Sequence, residues 1–345
     1  VKLVIDAREA FCKKKAGKGQ WTKGFLEELN SRDIDLTALT HTSQSVGSSV
    51  AFSGKLFWHL AAAKYARISK TDYYISPTSY IAPYLIGKKV PCVPIIHDLI
   101  AFQNEPHEKR ARFIEKLLIK KVVMNATNVC TVSEATRKDV LKKFPHLSPS
   151  SVTAIYAGPM RDNMPLSVPD KKTILCVGTL CPRKNQERLI QAYDALPHTI
   201  RSQYRLVLVG ARGWHDAEIL RLARVTDGVE WKDYVSDDEY QVLLSTATVF
   251  AYPSLYEGFG MQVLDALQRG IPILTSDRGS LSEVVGDTAV VVDPTSVRSI
   301  TSGLIALLEN ADIRNILASN GPIQASRFSW KRTVDLFLKA LNGAV

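Results

Sequence analysis

Short, uniformly apolar runs alternate along this chain with longer stretches whose apolar positions recur at helical spacing. In the first half the runs predict strands at Leu3–Asp6, Asp35–Thr40, Asp72–Ile75, Cys92–Ile96, Asn128–Val132 and Val152–Ile155. Helical spacing predicts helices at Gln20–Asn30, near Leu56–Ala66, at Lys109–Asn125 and at Ala135–Phe144. Ser133 can cap the last of these with its hydroxyl, and Glu134 adds an acidic residue to the first turn. Strands that are apolar throughout, rather than alternating, are buried on both faces. That argues for a parallel sheet covered by helices, an α/β architecture.

The pattern breaks between Ala157 and Asp170, where Gly158, Pro159, Pro165 and Pro169 stand in a polar stretch that predicts a linker. A second series then predicts strands at Ile174–Val177, Arg205–Val209, Gly228–Trp231, Val249–Tyr252, Ile271–Thr275 and Ala289–Val292. Ser236-Asp237-Asp238-Glu239 fits a capping box between two of them, and after Pro294 the chain reads as helices. The expected organisation is a first domain over 1–157, a linker over 158–170, a second domain over 171–328 and a terminal helix over 329–345. No solenoid repeat or low-complexity tract is present.

The length of 345 residues suits two domains, and 46% hydrophobic with 23% charged residues is ordinary for a globular protein. No apolar stretch could span a bilayer, and Lys2-Leu3-Val4-Ile5-Asp6 already reads as a strand, so little is expected to precede the fold. The five cysteines are odd in number and scattered in apolar runs, which predicts free thiols and a cytoplasmic location. A net charge of +10 points to anionic partners. Basic residues gather at Lys13–Lys18 and along Lys109–Lys121. The second run is either a helix lying on a membrane surface or, more ordinarily, a helix packed on the sheet with a solvated basic face.

The chemistry concentrates at Tyr256-Glu257-Gly258-Phe259-Gly260-Met261-Gln262-Val263-Leu264-Asp265, where a strand feeds a glycine-flanked loop and then a helix. Glycines let backbone amides approach a ligand, and a helix start attracts anions. Glu257 on the loop and Asp265 in the helix add two acceptors, a combination suited to a molecule with hydroxyls and phosphates, such as a nucleotide sugar. Gly178 and the cations Arg183 and Lys184 lie between a strand and a helix. Cations at a helix start oppose the helix dipole unless an anion is present, so this pair predicts phosphate binding. The sole Asp-x-Asp spacing, Asp33-Ile34-Asp35, reads as a solvated strand entry, and no metal is expected. Gly17 and Gly19 lie in a glycine loop before a helix, without the spacing of a dinucleotide fingerprint. His97 stands at a strand's carboxyl end, where ligands gather in such sheets.

The segment from Glu257 to Asp265 resembles the paired-carboxylate motif of retaining glycosyltransferase family 4, with Asp265 where that motif carries Glu. Val177-Gly178-Thr179-Leu180-Cys181-Pro182-Arg183-Lys184-Asn185 resembles the family's phosphate loop, and Gly279–Asp287 running to Val292-Asp293-Pro294 its next signature. Ile96-His97-Asp98-Leu99 and Thr131-Val132-Ser133-Glu134 resemble its N-terminal landmarks. The resemblance implies a GT-B fold, two doubly wound Rossmann-like domains facing across a cleft, with the terminal helix around Trp330–Leu341 packed back on the first.

It also implies roles. Arg183 and Lys184 would hold the donor diphosphate, and Gly17 and Gly19 would approach phosphate and acceptor. His97 would lie near the sugar, and Glu257 would take the sugar hydroxyls with support from the amides of Phe259, Gly260 and Met261. Asp265 would accept the ribose hydroxyls, Glu283 would stand behind them, and the backbone near Tyr234 and Val235 would meet the base. The expected function is a metal-independent, retaining hexosyltransferase of polysaccharide biosynthesis without a cofactor, transferring from UDP-hexose such as UDP-glucose, or from GDP-mannose. The lean toward UDP is slight. The acceptor is a saccharide or lipid-linked saccharide, with peripheral contact to the inner face of an anionic membrane and no nucleic acid. The rivals are a non-hydrolysing nucleotide-sugar epimerase, which would need further acid/base carboxylates, and a non-catalytic basic module for nucleic acid or membrane, which would bind no nucleotide sugar.

Overall fold

Leu3, Val4 and Ile5 are fully buried, and β1 (Lys2–Asp6) runs through the middle of a seven-stranded parallel sheet. The computed structural model describes residues 1–12, 17–41, 46–54, 56–102, 109–161, 165–166 and 172–342, with backbone alone for 56 and 109–114. The cluster Lys13-Lys14-Lys15-Ala16 and most of the expected linker therefore lie outside the described residues. Two compact units emerge. One holds residues 1–102, 109–160 and 328–342, and the other 161, 165–166 and 172–327.

The first sheet adds β2 (Asp35–Thr40), β3 (Ser48–Ala51), β4 (Tyr73–Ser76), β5 (Cys92–Ile96), β6 (Val129–Thr131) and β7 (Val152–Ala154). Its order is β3-β2-β1-β4-β5-β6-β7, with every pair parallel. β3 was not legible as a strand. Its Ser48 and Ser49 are exposed at the sheet edge, and only pairing with Thr37 and Ala38 makes it extended. Ser133 caps the Glu134–Lys143 helix, accepting from the Thr136 amide at 3.0 Å. The helix Gly17–Asn30 begins earlier than its apolar pattern suggested, so Gly17 and Gly19 form its first turn. The terminal helix Trp330–Asn342 belongs to this unit. Phe337 meets Phe25 at 5.1 Å, Trp330 meets Trp21 at 5.8 Å, and Arg32 pairs with Asp335 at 2.9 Å.

The second sheet comprises β8 (Thr173–Val177), β9 (Arg205–Val209), β10 (Val229–Lys232), β11 (Val249–Tyr252), β12 (Ile273–Ser276) and β13 (Ala289–Val292). Its order is β10-β9-β8-β11-β12-β13, again parallel throughout. The chain winds outward one way from β8 and the other way from β11, so the strand order reverses between these neighbours. Ligands in open α/β sheets bind at such a point, beyond the carboxyl ends of the strands. Ser236 caps the Asp237–Thr246 helix, accepting from the Glu239 amide at 3.2 Å. The described cysteines are all free thiols, and burial pushes those of Cys92, Cys130 and Cys176 up to about 12. Among the described residues no helix is long and apolar enough to cross a membrane.

Candidate active site

The turn after β8 and the turn after β11 meet at the reversal point of the second sheet. Arg183 and Lys184 occupy a short 3-10 turn, Pro182–Lys184, that leads into the helix Gln186–Asp194. Asn185 makes the join in a left-handed conformation (φ 62°), which an Asn adopts more readily than most residues. Its side-chain amide donates to the carbonyls of Pro253 at 2.9 Å and Pro294 at 2.7 Å, tying the turn to the segments that follow β11 and β13. A reciprocal bond runs from the Leu255 amide to the Arg183 carbonyl at 2.8 Å.

Both cations close on one carboxylate. Arg183 Nη1 lies 2.9 Å from Glu257 Oε2, and Lys184 Nζ lies 2.7 Å from Glu257 Oε1. Arg183 also donates to the Tyr256 carbonyl at 2.7 Å, and Lys184 to the Tyr252 hydroxyl. Burial drives the Glu257 pKa upward, but the charges of Arg183 and Lys184 overcome it and leave the carboxyl at about 2. Burial likewise lowers the Lys184 pKa, against the pull of Glu257. The conflict posed by two cations at a helix start is thus met inside the protein, by Glu257 itself.

The Glu257 loop is braced from behind. Ser280 donates from its amide to the Glu257 carbonyl at 3.0 Å, and its hydroxyl reaches the Phe259 carbonyl at 2.9 Å. Gly279 sits at φ +63°, and a Cβ there would stand 2.2 Å from the Glu257 carbonyl oxygen, so no larger residue fits. The first two residues of the Gly279–Asp287 signature thus support the Glu257 loop. Gly260, at φ 95°, ends that loop and opens the helix Met261–Gln268, with Phe259 and Met261 buried on either side. Glu283 stands half-buried in the short helix Leu281–Val285, its carbonyl accepting from Gln324 at 3.5 Å.

Residues 162–324 match the family described as Glycosyl transferases group 1. The O-antigen chain mannosyltransferase B of Escherichia coli is 33% identical over 277 residues, covering 75% of this chain and 71% of that protein. An MMP alpha-(1->4)-mannosyltransferase of Mycolicibacterium hassiacum is 28% identical over 271 residues, covering 73% and 66%. Sucrose-phosphate synthase from Thermosynechococcus elongatus, at 18% identity, superimposes with a TM-score of 0.82 over 100% of both chains. The chain belongs to the group 1 glycosyl transferases. Its two units are those of a GT-B fold.

The remaining expected residues of this glycosyltransferase fall into two sets. In the second unit, Asp265 lies one turn into the Met261–Gln268 helix, 5% exposed, and its Oδ2 accepts from the Tyr240 hydroxyl at 3.2 Å. Tyr234 and Val235 form the turn after β10, at the same sheet edge, where the Tyr234 amide donates to Asp233 at 2.7 Å. In the first unit, His97 follows β5 with its Nε2 2.8 Å from the Pro77 carbonyl and its ring edge-on to Trp21 at 5.3 Å. An oxygen acceptor requires Nε2 to carry the proton, which leaves Nδ1 as the lone-pair side of the ring. Burial, helped by the charge of Lys18, lowers the His97 pKa to about 3, so the ring is neutral near pH 7. Gly17 and Gly19 open their helix, whose first amides have no partner within the helix. Three residues escaped sequence reasoning: Tyr252, which receives Lys184; Gln262, which accepts from Tyr252 at 3.3 Å; and Tyr240.

Proposed function

We propose that this group 1 glycosyltransferase moves a mannosyl residue from a nucleoside-diphosphate donor to a saccharide or lipid-linked saccharide in polysaccharide assembly, retaining the anomeric configuration. The buried pairing of Arg183 and Lys184 with Glu257 at the reversal point of the second sheet carries the reading. A diphosphate with more charge than one carboxylate competes for those cations, and each cation supports it as a leaving group. Two of the relatives are named mannosyltransferases, which supports a mannosyl donor here, and we take GDP-mannose as that donor ahead of UDP-hexose.

In this reading Glu257 faces the sugar hydroxyls, and Asp265 accepts the ribose. The amides of Phe259, Gly260 and Met261 support sugar and phosphate, with the Tyr234–Val235 backbone toward the base and Glu283 behind. From the first unit, His97 and the Gly17–Gly19 turn act toward sugar and phosphate. The bond from the sugar's anomeric carbon to the phosphate oxygen breaks as the acceptor oxygen bonds the same face. The acceptor's proton passes to the departing diphosphate. Positioning and leaving-group stabilisation supply the catalysis, with no metal or cofactor required. Thermal-shift screening of GDP-mannose, UDP-glucose, GDP and UDP, with and without EDTA, tests this. GDP-mannose should give the largest shift and EDTA should leave it unchanged, whereas a chelator-sensitive shift would refute metal independence.

Peripheral membrane contact belongs to the same proposal. The Lys109–Asn125 helix exposes Leu117 (60%) and Met124 (57%) beside Lys120 and Lys121, with Lys121 5.1 Å above the half-exposed Tyr84 ring. Apolar tips among lysines suit an anionic lipid surface. Sedimentation with anionic vesicles should weaken in Lys120→Glu/Lys121→Glu, and equal binding by that variant would remove the membrane from the proposal.

A further inference from the structure

We propose that Tyr240 is a positioning residue for donor recognition, orienting the Asp265 carboxylate toward the ribose hydroxyls; the inference rests on Asp265 being the ribose acceptor. An aspartate carboxylate turns easily about its last torsion, whose preference is broad and roughly two-fold. To receive two neighbouring hydroxyls it must be held in one plane. The Tyr240 hydroxyl does this from the neighbouring Asp237–Thr246 helix, donating to Oδ2 at 3.2 Å.

A second rung lies one turn along. Arg269, four residues after Asp265 and only 2% exposed, donates to the Gln241 side chain beside Tyr240. Residues 240 and 241 of one helix thus bond to Asp265 of the next helix and to Arg269 at that helix's C-terminal cap. Burial lowers the Arg269 pKa, and the Asp265 charge offsets part of that cost. Burial and the Asp265 charge both push the Tyr240 phenol well above its ordinary pKa, so it remains a donor. Asp in place of the longer Glu makes this restraint consequential, because the shorter side chain has less freedom to find the ribose by itself.

A site that bonds a hydroxyl rejects the analogue lacking it, so the ratio of affinities for GDP and 2′-deoxy-GDP reads the geometry directly. The uridine pair serves instead if the donor screen selects uridine. Calorimetry on wild type, Tyr240→Phe and Asp265→Ala, with pyrophosphate as a ribose-free probe, makes the test. Tyr240→Phe should narrow the ribose-to-deoxyribose ratio about tenfold while leaving pyrophosphate affinity unchanged. The ratio is measured within one preparation, so a smaller folded fraction cancels. If Asp265→Ala keeps the wild-type ratio, the ribose assignment fails and takes the proposal with it. If Asp265→Ala erases the ratio but Tyr240→Phe preserves it, the assignment stands and Tyr240 is merely structural. A Tyr240→Phe loss shared equally by both nucleotides and pyrophosphate would also overturn the proposal.

Discussion

Glu257→Gln preserves the shape of the side chain and removes the charge that Arg183 and Lys184 share. The magnitude follows from the carboxyl's pKa, lowered from an ordinary 4.5 to about 2. That difference corresponds to about 3 kcal/mol of folded-state preference for the ionised form. Because the folded value is the lower one, this stabilisation is fully present above pH 4.5 and is lost as pH falls toward 2. At neutral pH the variant should lose roughly that amount, a fall in melting midpoint of about 6–12 °C for a unit of this size. Binding should move the opposite way. In wild type an incoming diphosphate competes with the Glu257 charge for the cations, and in the variant that competing charge is gone. Nucleoside diphosphate and pyrophosphate should therefore bind about tenfold more tightly and restore much of the lost stability, while sugar transfer falls. Thermal unfolding with and without ligand, and calorimetry, check both arms. An unliganded variant as stable as wild type, or weaker pyrophosphate binding, would refute the reasoning.

Lys184→Ala should cost about 2–4 kcal/mol in kcat/KM, as expected for a lost charged donor to a leaving group, and wild-type kinetics would remove Lys184 from catalysis. His97 has a folded pKa lowered from 6.5 to about 3, so its contribution to stability is present above pH 6.5 and lost as pH falls toward 3. Denaturant titrations of His97→Gln should show a shallower loss across that window, and an identical pH dependence would contradict the neutral, buried ring. Gly24→Ala places a Cβ 2.2 Å from the Trp330 ring, which is 8% exposed. It should cost about 1–3 kcal/mol and raise amide exchange across 330–342, and unchanged exchange would mean that the helix packs more loosely than its contacts imply.

Buried strands were legible because burial on both faces leaves an unbroken apolar run, as in β5 and in Leu206–Val209 of β9. β3 was not, since its extended shape depends on an edge partner rather than on its own residues. The site divides the same way. Glycines, Arg183, Lys184, Glu257 and Asp265 stand at strand ends and helix starts, where residue type alone suggests chemistry. That Glu257 pairs with the cations 73 and 74 positions earlier is a consequence of β8 and β11 being neighbours, which no local pattern records. Tyr252 reads as one more apolar residue in Val249-Phe250-Ala251-Tyr252, and Tyr240 as part of an amphipathic helix. Their hydroxyls matter only once the fold brings Lys184 and Asp265 beside them.

Mannosyl transfer with retention is decided by the stereochemistry of a single-turnover product. The protein would be incubated with GDP-mannose and a mannose-terminated oligosaccharide, and the new linkage read from the one-bond carbon–proton coupling at its anomeric carbon. Stoichiometric GDP release and a new α-linked mannose, matching the donor's configuration, are expected. A β-linked product, or transfer from UDP-glucose with none from GDP-mannose, would contradict mannosyl transfer with retention.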